Sequence, residues 1–147
     1  MKKTILAAAG LAIALVTAPM PTAAQDHSYA MGDYWDVSAI TLVDGQGEAY
    51  LDHLATQWKA GQEFAKQRGW IKDYYVLANS YARDGEPDLY LVSVYAEQPT
   101  RAQEQERDAA YLAWSQSTTR QLEAASADRT AQRRQSGMIQ LRQLDLK

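Results

Sequence analysis

Three ionisable side chains inside the predicted domain have the chemistry of an acid or a base: His53, Asp36 and Asp73. The pKa of a histidine lies near physiological pH, so an imidazole can act as acid, base or ligand. Both aspartates fall inside predicted strands, where a carboxylate is expected to be exposed, paired or used in a reaction. If both faced one cavity, the pKa of one would rise and a general acid would result. The alternatives are a surface position for His53 and, for the aspartates, edge exposure or pairing with Lys72, Arg142 or a backbone amide.

Aromatic side chains are the second chemical feature, with nine Tyr, four Trp and one Phe. Tyr and Trp combine an apolar ring with a polar group, which suits a pocket for a flat ligand with a few oxygen atoms. The candidate ligand-binding residues are Tyr50, Trp58, Tyr75, Tyr95, Tyr111 and Trp114. The alternative is that these rings form the core or an interface, which is the commoner use of aromatic residues at helix and strand spacing.

The sequence lacks the motifs of several enzyme classes. It has no cysteine, which excludes a thiol nucleophile, a disulfide and an iron–sulfur centre. It contains no G-x-S-x-G, S-x-x-K, H-E-x-x-H or P-loop motif. No second histidine follows His53 at helical spacing, so no metal site is predicted. Gly45-Gln46-Gly47 lacks the third glycine of a dinucleotide fingerprint and is typical of a turn.

The first 24 residues are predicted to be a secretory signal peptide. Lys2 and Lys3 precede an apolar stretch from Ile5 to Val16, and Thr22-Ala23-Ala24 forms a small-residue cleavage site before Gln25. The alternative, a retained membrane helix, needs about 20 apolar residues, whereas Thr and Pro interrupt this run. We therefore expect a periplasmic or secreted protein, with cleavage after Ala24 and no membrane span afterwards.

The charge and length of the chain narrow the range of partners and domains. The formal net charge is −3 at pH 7, and loss of Lys2 and Lys3 with the signal makes it more negative. Nucleic acid is therefore not expected as a partner, and the basic residues near Arg133 are typical of a solvated helix face. The remaining length suits one domain. We expect a flexible leader over residues 25–33 and a folded domain over residues 34–147.

The predicted elements follow the order strand, helix, strand, strand, helix, strand. The strands are Tyr34–Val43, Ile71–Tyr81, Asp88–Ala96 and Met138–Leu146, and the helices run over Glu48–Arg68 and from the N-cap Thr100 to about Ser126. A broken turn is expected to follow as far as Arg134, and Gly137 to end it. Right-handed crossovers make this an α+β, ferredoxin-like fold. Its antiparallel four-stranded sheet carries both helices on one face, with the first and third strands central.

The third predicted strand is apolar on both faces. Leu89, Leu91 and Tyr95 alternate with Tyr90, Val92 and Val94. Two helices cover one face of a sheet, which leaves an exposed apolar patch on the other. We therefore predict a symmetric homodimer in which the two sheets meet as a dimeric α/β barrel. The alternative is a monomer in which this sheet face is partly exposed to solvent.

The residues Arg68-Gly69-Trp70-Ile71, the Tyr-rich strand after them and the hairpin sequence GEPDLYLVSVYA carry a family resemblance. Together with the order of elements, they resemble the dimeric α/β-barrel superfamily, which includes the antibiotic-biosynthesis monooxygenase, EthD-like and NIPSNAP-like families. The resemblance extends from about Tyr34 to Leu146. It implies a cleft between sheet and helices for a small, often aromatic or polyketide-like molecule, or for haem. A haem-binding member is expected to supply an axial histidine, which the second predicted helix lacks, so no cofactor is predicted.

Two functions remain as hypotheses. The first is an exported protein that binds a small apolar or aromatic molecule in this cleft, with cofactor-independent oxygenase or isomerase-like activity left open. It predicts an enclosed cavity lined by Tyr or Trp, with His53 or a strand carboxylate nearby. The second is a non-catalytic protein that binds an envelope component. It predicts a packed interior, His53 at the surface and an exposed apolar patch away from the dimer interface.

Overall fold

The computed structural model describes residues 27–147, and the predicted signal peptide lies outside the described residues. The chain has an α+β fold with one four-stranded antiparallel sheet in the order β2-β3-β1-β4. The strands are β1 (Tyr29–Leu42), β2 (Asp73–Ala78), β3 (Leu89–Tyr95) and β4 (Arg133–Leu146). The first and third strands are central, as predicted, and the arrangement is compatible with a ferredoxin-like fold.

The predicted helix after the first strand is confirmed. It consists of α1 (Gly47–His53), a π-helical segment (Leu54–Trp58) and α2 (Lys59–Gln67). The junction residues keep right-handed helical dihedrals, so the three segments are continuous. The helix ends where Gly69 adopts a φ of +69°, a left-handed conformation that glycine reaches without a steric penalty from a Cβ atom.

The second helical region differs from the prediction, because two helices replace the single one expected from Thr100 to about Ser126. They are α3 (Arg101–Ser115) and α4 (Thr119–Asp128), and a 3-10 turn (Arg129–Ala131) follows. Gln116 has a φ of +51° and ends α3. The Thr118 side chain then accepts a hydrogen bond from the backbone N–H of Gln121, which starts α4 with its own capping box. No helix within residues 27–147 is both long and apolar enough to cross a membrane.

The two strands β1 and β4 are longer than predicted. β1 begins at Tyr29, so residues 29–33 of the expected leader belong to a strand. β4 begins at Arg133 and contains Gly137, which was expected to end the preceding helical region. The two strands pair with each other from Tyr29 opposite Leu146 to Leu42 opposite Arg133. The backbone groups of each strand therefore form hydrogen bonds with the other strand over this extra length. Local sequence patterns do not predict such pairing, because the two strands are far apart in the sequence.

The sheet face toward α1 carries a buried apolar cluster at one end. Ile40 of β1 and Leu89 of β3 lie opposite each other and pack against Tyr50 and Leu54 of the first helix. Leu91 packs against the same cluster. Alternate residues of β3 thus face the helix, as the sequence predicted.

The opposite sheet face is apolar across all four strands. In the order β2, β3, β1, β4 its rows are Asp73, Val94, Trp35 and Leu141, then Tyr75, Val92, Val37 and Ile139, then Leu77, Tyr90, Ala39 and Gly137. The rings of Trp35 and Tyr75 stack with centroids 5.9 Å apart, although β3 separates their strands. Val92 beneath them is only 1% exposed, while Ile139 at the edge is 56% exposed. We call this surface the open sheet face.

Candidate functional site

Polar side chains occupy the helix-facing side of the sheet at the end away from the apolar cluster. Asp36 of β1 lies opposite Ser93 of β3 and Gln140 of β4, and Tyr95 follows two residues after Ser93. Gln140 Nε2 donates hydrogen bonds to the Tyr95 hydroxyl oxygen at 2.6 Å and to Asp36 Oδ1 at 2.9 Å. One amide therefore connects side chains from three strands. These four residues form the floor of the candidate site.

A cleft of about 330 Å³ lies against this floor. Its remaining lining comes from the segments before β2 and α3 and from α3 itself: Trp70, Ile71, Gln98, Pro99, Glu104 and Arg107. The cleft thus combines the ring of Trp70 with hydrogen-bonding groups on its floor. Six of its ten lining residues are polar or charged, so the cleft is more polar than the usual small-molecule site, which is mostly apolar.

The Tyr95 hydroxyl is held as a proton donor. Burial raises the pKa of Tyr95 to about 12, and its hydrogen bond to Asp36 acts in the same direction. The phenol therefore keeps its proton at neutral pH. The phenol has a single O–H, which Asp36 accepts, so a ligand oxygen that takes this hydrogen bond must replace Asp36 as the acceptor and leaves the carboxylate free to accept from the ligand.

Comparison with models of known protein families, with curated proteins and with solved structures finds no match. The resemblance to the dimeric α/β-barrel superfamily therefore depends on the residues and the order of elements described above. Within the part of the chain that the structure describes, no group of three or more His, Asp or Glu side chains is placed to hold a metal ion.

The structure does not bring Asp73 and Asp36 together. Asp73 lies at the start of the edge strand β2, where its Oδ1 accepts a hydrogen bond of 2.9 Å from Lys66 Nζ. This hydrogen bond, and a second one from the backbone N–H of Tyr74, lower the pKa of Asp73. The pairing foreseen as the alternative for Asp73 is thus the arrangement in the structure, and Asp36 alone of the two aspartates lines the cleft.

His53 lies outside the lining of the cleft. Its ring stacks on Tyr50 at the C-terminal end of α1, with centroids 5.9 Å apart. Burial lowers the pKa of His53, and the nearby cations of Arg129 and Arg133 act in the same direction, while a hydrogen bond with Gln57 opposes them. The neutral imidazole is therefore favoured in the folded chain.

The predicted ligand-binding aromatics are dispersed over the molecule, and Tyr95 alone of the six lines the cleft. Tyr50 is 3% exposed within the core cluster, and Tyr75 lies on the open sheet face. Both positions correspond to the alternative interpretation as core or interface residues.

The other three predicted aromatics lie beside the cleft, around α2 and α3. Tyr111 and Trp114 pack against Phe64, with ring centroids 6.2 and 4.6 Å away. Trp58 and Tyr111 line a neighbouring pocket of about 340 Å³, which shares Trp70 and Arg107 with the cleft. These rings are thus part of the helical wall rather than of the polar floor.

Eight of the ten residues that line the cleft were not among the sequence candidates, and Ser93, Gln140, Trp70 and Arg107 are four of these eight. Two of them left a signal in the sequence, since Ser93 interrupts an apolar strand and Gln140 lies between Ile139 and Leu141. That signal shows a polar residue on one face of a strand. It does not show that two such strands flank Asp36, because the register is set by tertiary pairing.

Proposed function

We propose that this protein binds a small aromatic or apolar molecule carrying oxygen atoms in the cleft between sheet and helices. The observation that carries the proposal is the connected polar row of Asp36, Tyr95 and Gln140 in the cleft that Trp70 also lines. Asp36 is partly buried and Gln140 is exposed on the edge strand β4, so this row keeps contact with solvent. The three side chains form one connected set beside a space of ligand size.

We further propose that the reaction suited to this site is a cofactor-independent proton transfer. Asp36 would take a proton from a carbon atom of the substrate, and the electron pair would delocalise onto an oxygen that Tyr95 hydrogen-bonds. Return of the proton to another carbon makes an isomerase. Alternatively, the same carbanion gives its electron pair to molecular oxygen as a C–O bond forms, and the peroxide anion takes the proton back from Asp36 to give a hydroperoxide, which makes a cofactor-independent oxygenase. Tyr95 suits the donor role because its pKa near 12 keeps the proton on the phenol.

The proposed form of the mature protein is an exported homodimer with the ferredoxin-like topology of a dimeric α/β barrel. Support comes from the open sheet face, where Asp73 at one corner is the single charged residue in the three rows described. Leu77, Ile139 and Leu141 on this face are each about half exposed, at 49%, 56% and 51%. An apolar surface of this extent is typical of an interaction site. In a two-fold symmetric dimer each copy would cover this face of the other.

A second candidate function, non-catalytic binding of an envelope component, is favoured by a separate apolar groove. This groove of about 480 Å³ lies between the π-helical segment and the edge strand β2. It is lined by Leu51, Leu54, Ala55, Trp58, Lys59, Tyr74 and Val76. It lies on the helix side of the sheet and would stay accessible in a dimer formed through the open sheet face.

Titration with the uncharged fluorescent probe N-phenyl-1-naphthylamine tests the proposed binding site. We expect saturable binding with one site per chain. Gln98 lines the cleft and donates a hydrogen bond of 2.5 Å to Gln140. Gln98→Trp adds bulk there and removes this contact, so it should weaken binding by about tenfold, an effect of about 1.4 kcal/mol. Gln105→Trp adds the same bulk to an exposed position of α3 outside the cleft and should have no effect.

Absence of saturable binding, or equal binding by the two variants, contradicts the proposed ligand site. Native mass spectrometry of protein taken from the periplasm then separates the two candidate functions. A retained small molecule supports the cleft as the functional site, whereas a co-purifying protein supports the envelope-binding alternative.

A further inference from the structure

A second pocket adjoins the cleft on the outer side of α3. It has a volume of about 370 Å³ and is lined by Arg68, Trp70, Gln103, Glu106, Arg107 and Ala110. Trp70 and Arg107 line both spaces. These two side chains therefore form the boundary between the two spaces.

Two guanidinium groups are held around the Trp70 ring. The Arg107 Cζ atom lies 5.7 Å from the ring centroid and the Arg68 Cζ atom lies 5.9 Å from it. Arg68 also lies 5.0 Å from the Phe64 ring centroid. Cation–π contacts of this kind orient a guanidinium group without neutralising its charge.

Neither arginine takes part in an ion pair among residues 27–147, where the three salt bridges involve other side chains. Glu106 lines the second pocket with them, so the residues that line this pocket have a formal net charge of +1. The residues that line the cleft have a formal net charge of −1, because two carboxylates, Asp36 and Glu104, accompany the single cation of Arg107. An anionic group is therefore favoured on the arginine side of Trp70 and repelled from the floor.

We infer, on the basis of the proposed function, that the ligand is an aromatic anion. Its ring lies against Trp70, its uncharged oxygen atoms face Asp36 and Tyr95, and its carboxylate or sulfonate faces Arg68 and Arg107. Arginine is suited to this role, since its planar fork of N–H donors forms charge-assisted hydrogen bonds with planar or tetrahedral oxyanions.

A pair of probes that differ by one sulfonate group tests this inference. We compare 8-anilino-1-naphthalenesulfonate with the uncharged N-phenyl-1-naphthylamine in fluorescence titrations. In the double variant Arg68→Gln/Arg107→Gln, affinity for the sulfonate should fall about fivefold, while affinity for the uncharged probe should change less than about twofold. Arg101→Gln/Arg120→Gln removes the same charge from α3 and α4 outside both pockets and should change neither affinity.

Salt provides a second readout. Raising the NaCl concentration from about 50 mM to about 500 mM should weaken sulfonate binding by the wild type but not by Arg68→Gln/Arg107→Gln, because screening acts on the ion pair.

If neither probe binds the wild type, both the proposed function and this inference are contradicted. If the uncharged probe binds but sulfonate affinity is the same with and without the two arginines, the inference alone is overturned. This result is expected if the dye binds to the open sheet face instead. Equal losses in both double variants overturn the inference as well.

Discussion

The side-chain amide of Gln140 donates a hydrogen bond of 2.6 Å to the hydroxyl oxygen of Tyr95, although their strands, β4 and β3, are not neighbours in the sheet. The amide reaches across β1 and also binds Asp36 on the way. The contact therefore fixes the phenol over the centre of the cleft floor, where a ligand would meet it.

Replacement of Tyr95 by Phe should lower the free energy of unfolding by about 1 kcal/mol, because Gln140 and Asp36 lose a common partner. Urea unfolding followed by circular dichroism measures this change. Tyr90→Phe removes a hydroxyl from the opposite face of the same strand and serves as the control. Equal losses in the two variants would show that the hydrogen bonds of Tyr95 add nothing to stability.

The raised pKa of Tyr95 predicts a loss of stability in alkaline solution. The unfolded chain releases the phenolic proton near pH 10, whereas the folded chain keeps it up to about pH 12. The folded state therefore binds more protons in this window, and the free energy of unfolding falls as the pH rises through it.

Asp36→Asn should lower the pKa of Tyr95, since a charged hydrogen-bond acceptor is removed. The free energy of unfolding should then fall less steeply as the pH rises from 10 to 12. Phenolate absorbance and urea unfolding, measured from pH 9 to pH 12, test both effects. Tyr74 is an internal control, because a hydrogen bond to Glu63 raises its pKa to about 12 and Asp36 is not among the causes. An unchanged phenolate titration in Asp36→Asn would contradict the assigned contact.

The lowered pKa of His53 predicts that the free energy of unfolding falls as the solution becomes mildly acidic, the opposite of the trend expected for Tyr95. Its pKa in the folded chain lies below the ordinary value of 6.5, mainly because of burial and also because of Arg129 and Arg133. The unfolded state takes up the proton first, so this contribution to stability is complete above pH 6.5 and is lost as the pH falls through the folded pKa.

An NMR titration of the imidazole C–H resonances should therefore give a midpoint below 6.5 for His53, and Arg129→Gln should raise it. His53→Gln should remove this part of the acid sensitivity, whereas His27→Gln should retain it. A midpoint at or above 6.5 would show that the imidazole is solvated.

The proposed dimer predicts different effects of two adjacent substitutions in β4. Ile139→Asp places a charge on the open sheet face and should give a monomer, because an unpaired buried carboxylate is strongly disfavoured. Met138→Asp alters the neighbouring residue, which is 67% exposed and points to the other face of the strand, and should leave a dimer. Light scattering coupled to size-exclusion chromatography gives the mass of each. A monomeric wild type would refute the dimer.

Several elements followed from local patterns in the sequence. The first helix and its glycine end, the order of the strands and the alternating faces of β3 agree with the structure, because periodicity and capping act within a few residues. The break between α3 and α4 also had a local signal, since Thr118 and Gln121 repeat the spacing of Thr100 and Gln103. The prediction was wrong there because the apolar pattern was followed across that second cap.

The sequence by itself determined the order of the four strands and the position of the first helix, that the third strand is apolar on both faces, and that Asp36 and Tyr95 are candidates for chemistry. The tertiary structure decided that Gln140 joins these two and that Asp73 pairs with Lys66 instead. It also extended β1 and β4 along each other and placed Arg68 and Arg107 around Trp70. The physical reason is that local periodicity gives the face of each strand, whereas strand register and helix docking determine which side chains share that face.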